Sequence, residues 1–151
     1  MTSSNQNNAL WQFMLNLYAK DGVKELCLGA QNEHGIDVLL LLMDAWLQQQ
    51  QCAWPDKDAL QDYIEWREQM IVPLRALRMI LAKDEEPLRT QLLTAELSAE
   101  KQGVQLLFDA QANSVTVSSD AFLDKDFIYV QPGLANAQEF YVLFTQTLSS
   151  L

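Results

Sequence analysis

The chain has little of several things that enzyme sites are built from. In 151 residues it holds one histidine, His34, and two cysteines, Cys27 and Cys52. One histidine excludes zinc sites built on two or three histidines, the HExxH helix among them. It equally excludes the paired Glu-x-x-His motifs of helical di-iron proteins. Two cysteines without a CxxC make no disulfide framework and point to a reducing, cytoplasmic setting. Basic residues are also scarce, 10 against 20 acidic, for a formal net charge of −10 and a pI near 4.3. That excludes duplex nucleic acid as a partner, because phosphate binding needs clustered Lys and Arg. Long apolar runs are missing too. The longest, Val38 to Met43, is six residues, against the ~20 needed to span a bilayer. The first residues, Met1 to Asn8, carry no basic region ahead of an apolar run, so neither a signal peptide nor a membrane partner is expected. No GxSxG, P-loop, GxGxxG or paired DDxxD-type box occurs, which removes the commonest hydrolase, nucleotide and diphosphate chemistries.

What is present is a globular composition. The chain is 49% hydrophobic and 20% charged, with four Trp, four Tyr and six Phe. That is enough to bury a core without a staple. The length fits one domain, 1–151, with a flexible stretch at 1–7 and an irregular connection at 111–134. Each third of the chain is net acidic, and all four arginines (Arg67, Arg75, Arg78 and Arg89) fall in the middle third.

The apolar periodicity is helical. Leu10, Trp11, Met14, Leu15, Leu17 and Tyr18 repeat at three and four, with Asn7 or Asn8 as cap. Asp21 can cap a short helix from Val23 to about Gln31. Val38 to about Gln50 follows, with Leu41, Leu42, Ala45 and Trp46 as its inward face. Asp56 or Asp58 starts a helix through Tyr63, Ile64 and Trp66, which Pro73 kinks or splits by removing a donor and clashing one turn back. Glu85-Glu86-Pro87 opens a long helix, Leu88 to about Asp109, with Gly103 its only breaker. Ser114 to Ser118 alternates like a strand but has nothing to pair with, so it reads as extended loop, and Phe127 to Val130 is equally ambiguous. Gln131-Pro132-Gly133 is a turn, and Ala135 to Leu151 the last helix. The expected fold is an all-α bundle of six or seven helices with no sheet. Trp11, Phe13, Tyr18 and Trp46 read as core. Trp54, beside Pro55, reads as the better candidate for an exposed contact.

Three polar constellations stand out. Gln31-Asn32-Glu33-His34-Gly35-Ile36-Asp37-Val38 sets three ionisable groups between apolar stretches. Either a helix ends near Asn32, with Gly35 left-handed and Asp37 capping the next, or one helix runs straight through. The poor helix formers Asn32, Gly35 and Asp37 favour the break. In the second constellation Arg75 and Arg78, three apart, project from nearly one side of their helix. In the third, Glu96 and Glu100 lie one turn apart. Guanidinium forks match carboxylates, so the plainest reading is a structural network. In it the arginines pair with Glu33, Asp37, Glu96 or Glu100, and His34 lies close by. The sharper reading takes Glu33, His34, Asp37, Arg75, Arg78, Glu96 and Glu100 as a small-molecule or metal-dependent active site. A Cys27–His34 dyad is disfavoured, since seven residues along a helix span about 10 Å.

The pieces Leu10-Trp11-x-Phe13-x-x-x-Leu17-Tyr18, Gly22-Val23, and Cys27-Leu28-x-x-Gln31-Asn32-Glu33-His34-Gly35-x-Asp37-Val38-x-Leu40-Leu41-Leu42 resemble a proteobacterial family of small uncharacterised proteins. So do Trp66-Arg67, Val72-Pro73-Leu74-Arg75-x-x-Arg78 and Glu96-Leu97-x-Ala99-Glu100. The resemblance covers roughly residues 8 to 105. It implies a helical cytoplasmic bacterial protein, a domain of unknown function, with the seven polar residues above at its motif positions. It implies no catalytic role. With no complete catalytic set, no cofactor and no metal expected, the reading leans away from an enzyme. It leans towards an acidic binding or interaction module, with a protein partner or a second copy of the chain.

Overall fold

Eight consecutive residues, Leu40 to Leu47, are all buried. The helix that carries them is enclosed on every side rather than on the single inward face that the sequence suggests. The computed structural model describes residues 8–113, 121–131 and 136–150. Among these the structure is all-helical, with no strand and no sheet; the expected extended loop at Ser114 to Ser118 lies outside the described residues. The chain divides into two compact units, Met1–Asn8 with Pro55–Val115, and Ala9–Trp54 with Thr116–Leu151.

The second of these holds α1 (Ala9–Tyr18), α2 (Val23–His34), α3 (Val38–Gln50) and α7 (Gln138–Ser149). Two short 3-10 turns, Phe122–Asp124 and Asp126–Ile128, lie between α3 and α7 in its chain order. Helix α3 packs against α1 and α2, and α2 against α1 and α7. The core is Leu10, Met14, Val23, Cys27, Leu40, Leu41, Met43, Leu47, Ile128 and Phe144. Of the aromatic residues expected there, Trp46 is buried while Trp11, Phe13 and Tyr18 are half-buried. Leu15, assigned to the inward face of α1, is 45% exposed. Gly22, not Asp21, is the N-cap of α2.

The α2–α3 corner takes the broken arrangement. Gly35 adopts φ 66° and closes α2, and the Asp37 carboxylate accepts from the amides of Leu39 (2.9 Å) and Leu40 (3.4 Å) at the start of α3. Residues 128–131 then fasten the corner. The Gly35 carbonyl accepts from the amide of Val130 at 2.7 Å, and the Asp37 amide donates to the Ile128 carbonyl at 2.7 Å. An isolated antiparallel bridge joins Ile36 and Tyr129. A Cβ on Gly35 would sit 2.1 Å from the Gln131 carbonyl oxygen. Glycine is required here twice, for its backbone angle and for the close approach.

The other unit is a helical hairpin. α4 (Gln61–Trp66), a π turn (Arg67–Ile71) and α5 (Val72–Met79) form one rod that folds back on α6 (Leu88–Asn113). The expected disruption at Pro73 is absorbed in the turn before it. There the Val72 amide reaches the Arg67 carbonyl, one residue further back than in an α-helix. The widened turn relieves the ring's clash without stopping the helix. Against this rod α6 presents Gly103, where a Cβ would lie 3.1 Å from both Ile71 Cδ1 and Tyr63 Cε1. The missing side chain is what admits them. Nearby, the Trp66 indole donates to the Ala99 carbonyl at 2.8 Å.

Candidate functional site

The seven residues singled out from the sequence divide between the two units. Arg75 and Arg78 on α5 and Glu96 and Glu100 on α6 belong to the hairpin. Antiparallel packing of those two helices sets the arginines over the carboxylates. Arg75 donates from Nε to Glu96 at 3.1 Å and from a terminal nitrogen to Glu100 at 3.2 Å. Arg78 donates from Nε to Glu96 at 2.6 Å and more weakly from Nη2 at 3.4 Å. Glu96 is the hub, its side chain 8% exposed, and it accepts from both arginines.

Burial alone would raise the pKa of Glu96, but hydrogen bonds from Arg78 and Arg75 hold it below the usual carboxylate value. The hydrogen bond to Glu96 raises Arg78 in turn. A carboxylate kept ionised and gripped by two guanidinium groups is a poor general acid or base. Chemically this arrangement is a clamp.

Glu33, His34 and Asp37 belong to the other unit. Glu33 is exposed, His34 packs its ring on Phe140 at a centroid distance of 5.2 Å, and Asp37 caps α3. Cys27 is buried, and burial pushes its thiol up to about 12, which leaves it inert as a nucleophile. Among the described residues no group of three or more His, Cys, Asp or Glu side chains could hold a metal ion. None of their helices is long and apolar enough to cross a membrane.

Sequence reasoning missed a third feature. Asp44, in the middle of buried α3, is 4% exposed. It accepts from the Trp54 indole at 2.8 Å, from the Gln48 amide at 2.7 Å and from the Tyr141 hydroxyl. Burial, then the hydrogen bond to Asp44, raises the Tyr141 phenol above its usual value. Trp54 is therefore not an exposed contact. It is 7% exposed, its ring 5.8 Å from that of Phe122, because its N–H is needed inside. The signal was available: a lone acid inside an apolar run must find buried donors.

A family model described as Protein of unknown function (DUF2390) matches residues 9–107. No curated protein matches the chain, and no solved structure does.

Proposed function

The chain belongs to the DUF2390 family of proteins of unknown function, and from that premise we propose that it is a non-enzymatic binding module whose partner is another protein. The observation that carries this reading lies on the α5–α6 hairpin. Leu77, Met79, Ile80, Leu88, Leu93 and Leu97 are each between 41% and 79% exposed, within 21 residues of chain. So many large apolar side chains in water on one hairpin mark an interaction surface. The polar groups beside them, Arg75, Arg78, Glu96 and Glu100, already satisfy one another.

Charge selects the partner. At −10, two copies of the chain repel each other. A partner with an apolar face flanked by basic residues is attracted, and binding should weaken as salt rises. A reducing, cytoplasmic setting fits the free thiols of Cys27 and Cys52.

The test uses the purified full chain. A photo-crosslinker placed at Leu93 identifies the partner, whose affinity is then measured for the wild type and for Leu93→Asp with Leu97→Asp. Both leucines are exposed and one turn apart, so the variant should keep its unfolding midpoint and lose about tenfold or more in affinity. Unchanged affinity would overturn the reading. So would light scattering that shows a dimer dissociated by the same variant, which would assign the face to a second copy.

A further inference from the structure

We propose that a groove between α1, α3 and α7 is a binding site for a small protonated amine that carries a hydrocarbon group. The groove has a volume of about 520 Å³, within the ~300–1,000 Å³ typical of small-ligand sites. Phe13 and Leu17 of α1, Ala45 and Gln48 of α3, and Thr145 and Leu148 of α7 form its walls. Each helix contributes residues three or four apart, one stripe from each, and four of these six positions are apolar. The hydrocarbon part of a ligand would lie along Phe13, Leu17 and Leu148.

The charge preference follows from which ends of the helices meet here. α1 ends at Tyr18, α3 at Gln50 and α7 at Ser149, so the walls are made largely from the later turns of all three. Each helix C-terminus carries roughly half a negative charge. Behind the wall lies Asp44, whose three hydrogen-bond donors, Trp54, Gln48 and Tyr141, are all neutral. Gln48 touches both sides: it lines the groove and donates to Asp44 at 2.7 Å. A buried carboxylate whose hydrogen-bond donors are all neutral (the buried Lys125 ammonium stands 6.0 Å from the Trp54 ring centroid), together with three negative helix ends, favours a cation in the groove. The Phe13 ring offers a further cation-binding face.

Among the described residues no carboxylate lines the groove, and the one cation there is Lys20, just past the end of α1, exposed and without an ion pair. A single exposed ammonium offsets only part of that field. It sits there as a resident competitor. Removing it should therefore strengthen amine binding, the opposite of what a site for anions would show.

The experiment is a 15N-detected titration of the full chain with octylammonium, octanoate and octanol. Octylammonium should bind about tenfold more tightly than octanoate and lose affinity as salt is raised through a Debye length of ~10 Å. Its shifts should centre on the Gln48 and Gln49 side-chain amides and on Thr145 and Ser149. Lys20→Ala should tighten octylammonium binding about threefold and weaken octanoate binding, with octanol unchanged. Asp44→Asn should weaken octylammonium selectively. Because that variant turns an amide towards three donors, Lys20→Ala and the salt series decide the matter if it does not fold. Octanoate binding as tightly as octylammonium, Lys20→Ala weakening the amine, or shifts outside the groove would each overturn the proposal.

Discussion

At the scale of single residues, Glu96 shows why a surface-type ion pair can matter. Exposed pairs contribute about 0–1 kcal/mol, and breaking a buried pair costs about 3–5. Arg75 and Arg78 are about one-fifth exposed and Glu96 less than one-tenth, so this network falls between those limits. Glu96→Ala strands Arg78 and leaves Arg75 only its bond to Glu100, whereas Arg75→Ala leaves Arg78 on Glu96. The first should therefore cost about 2–3 kcal/mol and the second about 1–2. In urea denaturation the double variant should lose less than the two single losses added together, by about 1 kcal/mol. Acid gives an independent check. The folded pKa of Glu96 lies below its ordinary 4.5. Its contribution should be complete above that pH and vanish as pH falls through the lower folded value. Wild type and Glu96→Gln should thus differ in stability at neutral pH and converge under strong acid.

At the scale of elements, two glycines do opposite jobs. Gly35 and Gly22 both have positive φ, 66° and 85°, but only Gly35 meets backbone, whereas nothing lies within 4 Å of a Cβ on Gly22. Alanine at Gly22 should cost about 1 kcal/mol from the backbone angle alone. Alanine at Gly35 should cost several, as the 128–131 segment is pushed off the corner. Comparing the two melting curves isolates the close approach. Gly103 is helical, and an exposed helical Gly→Ala change would gain about 1 kcal/mol. Here the buried Tyr63 ring stands 3.1 Å from the added carbon. Gly103→Ala should therefore fail to stabilise, and Gly103→Val should destabilise clearly in the same assay. The helices themselves were legible because apolar spacing and caps are local. The start of α3 could be read from Asp37, and the long α6 from Leu88 onward. The π turn before Pro73 could not, since sequence shows the lost donor but not how the preceding turn yields.

At the scale of the whole molecule, charge dominates. A net charge of −10 on 151 residues is self-repelling, and the Arg–Glu clamp is too buried to be screened as readily as surface charge. Raising NaCl from about 20 mM to about 0.5 M should therefore raise Tm by a few degrees. A fall in Tm would mean that exposed ion pairs outweigh the repulsion. The candidate site was legible only in pieces. Three-residue and four-residue spacings put Arg75 with Arg78, and Glu96 with Glu100, on common sides of their helices. That the two sides meet follows from the antiparallel hairpin.

By itself the sequence determined the helical class, the acid excess and the lack of a familiar catalytic set, and it favoured a break at Gly35 over a continuous helix without deciding between them, because each depends on composition or on neighbours within a few residues. Tertiary structure alone decided which charges are partnered. It drew Trp54 and Tyr141 onto Asp44, enclosed α3 on all sides, left the leucines of α5 and α6 in water, and gathered three helix ends around one groove. Those are relations between residues as many as 97 positions apart, and no local pattern encodes them, because burial is a property of the packed chain and not of any segment.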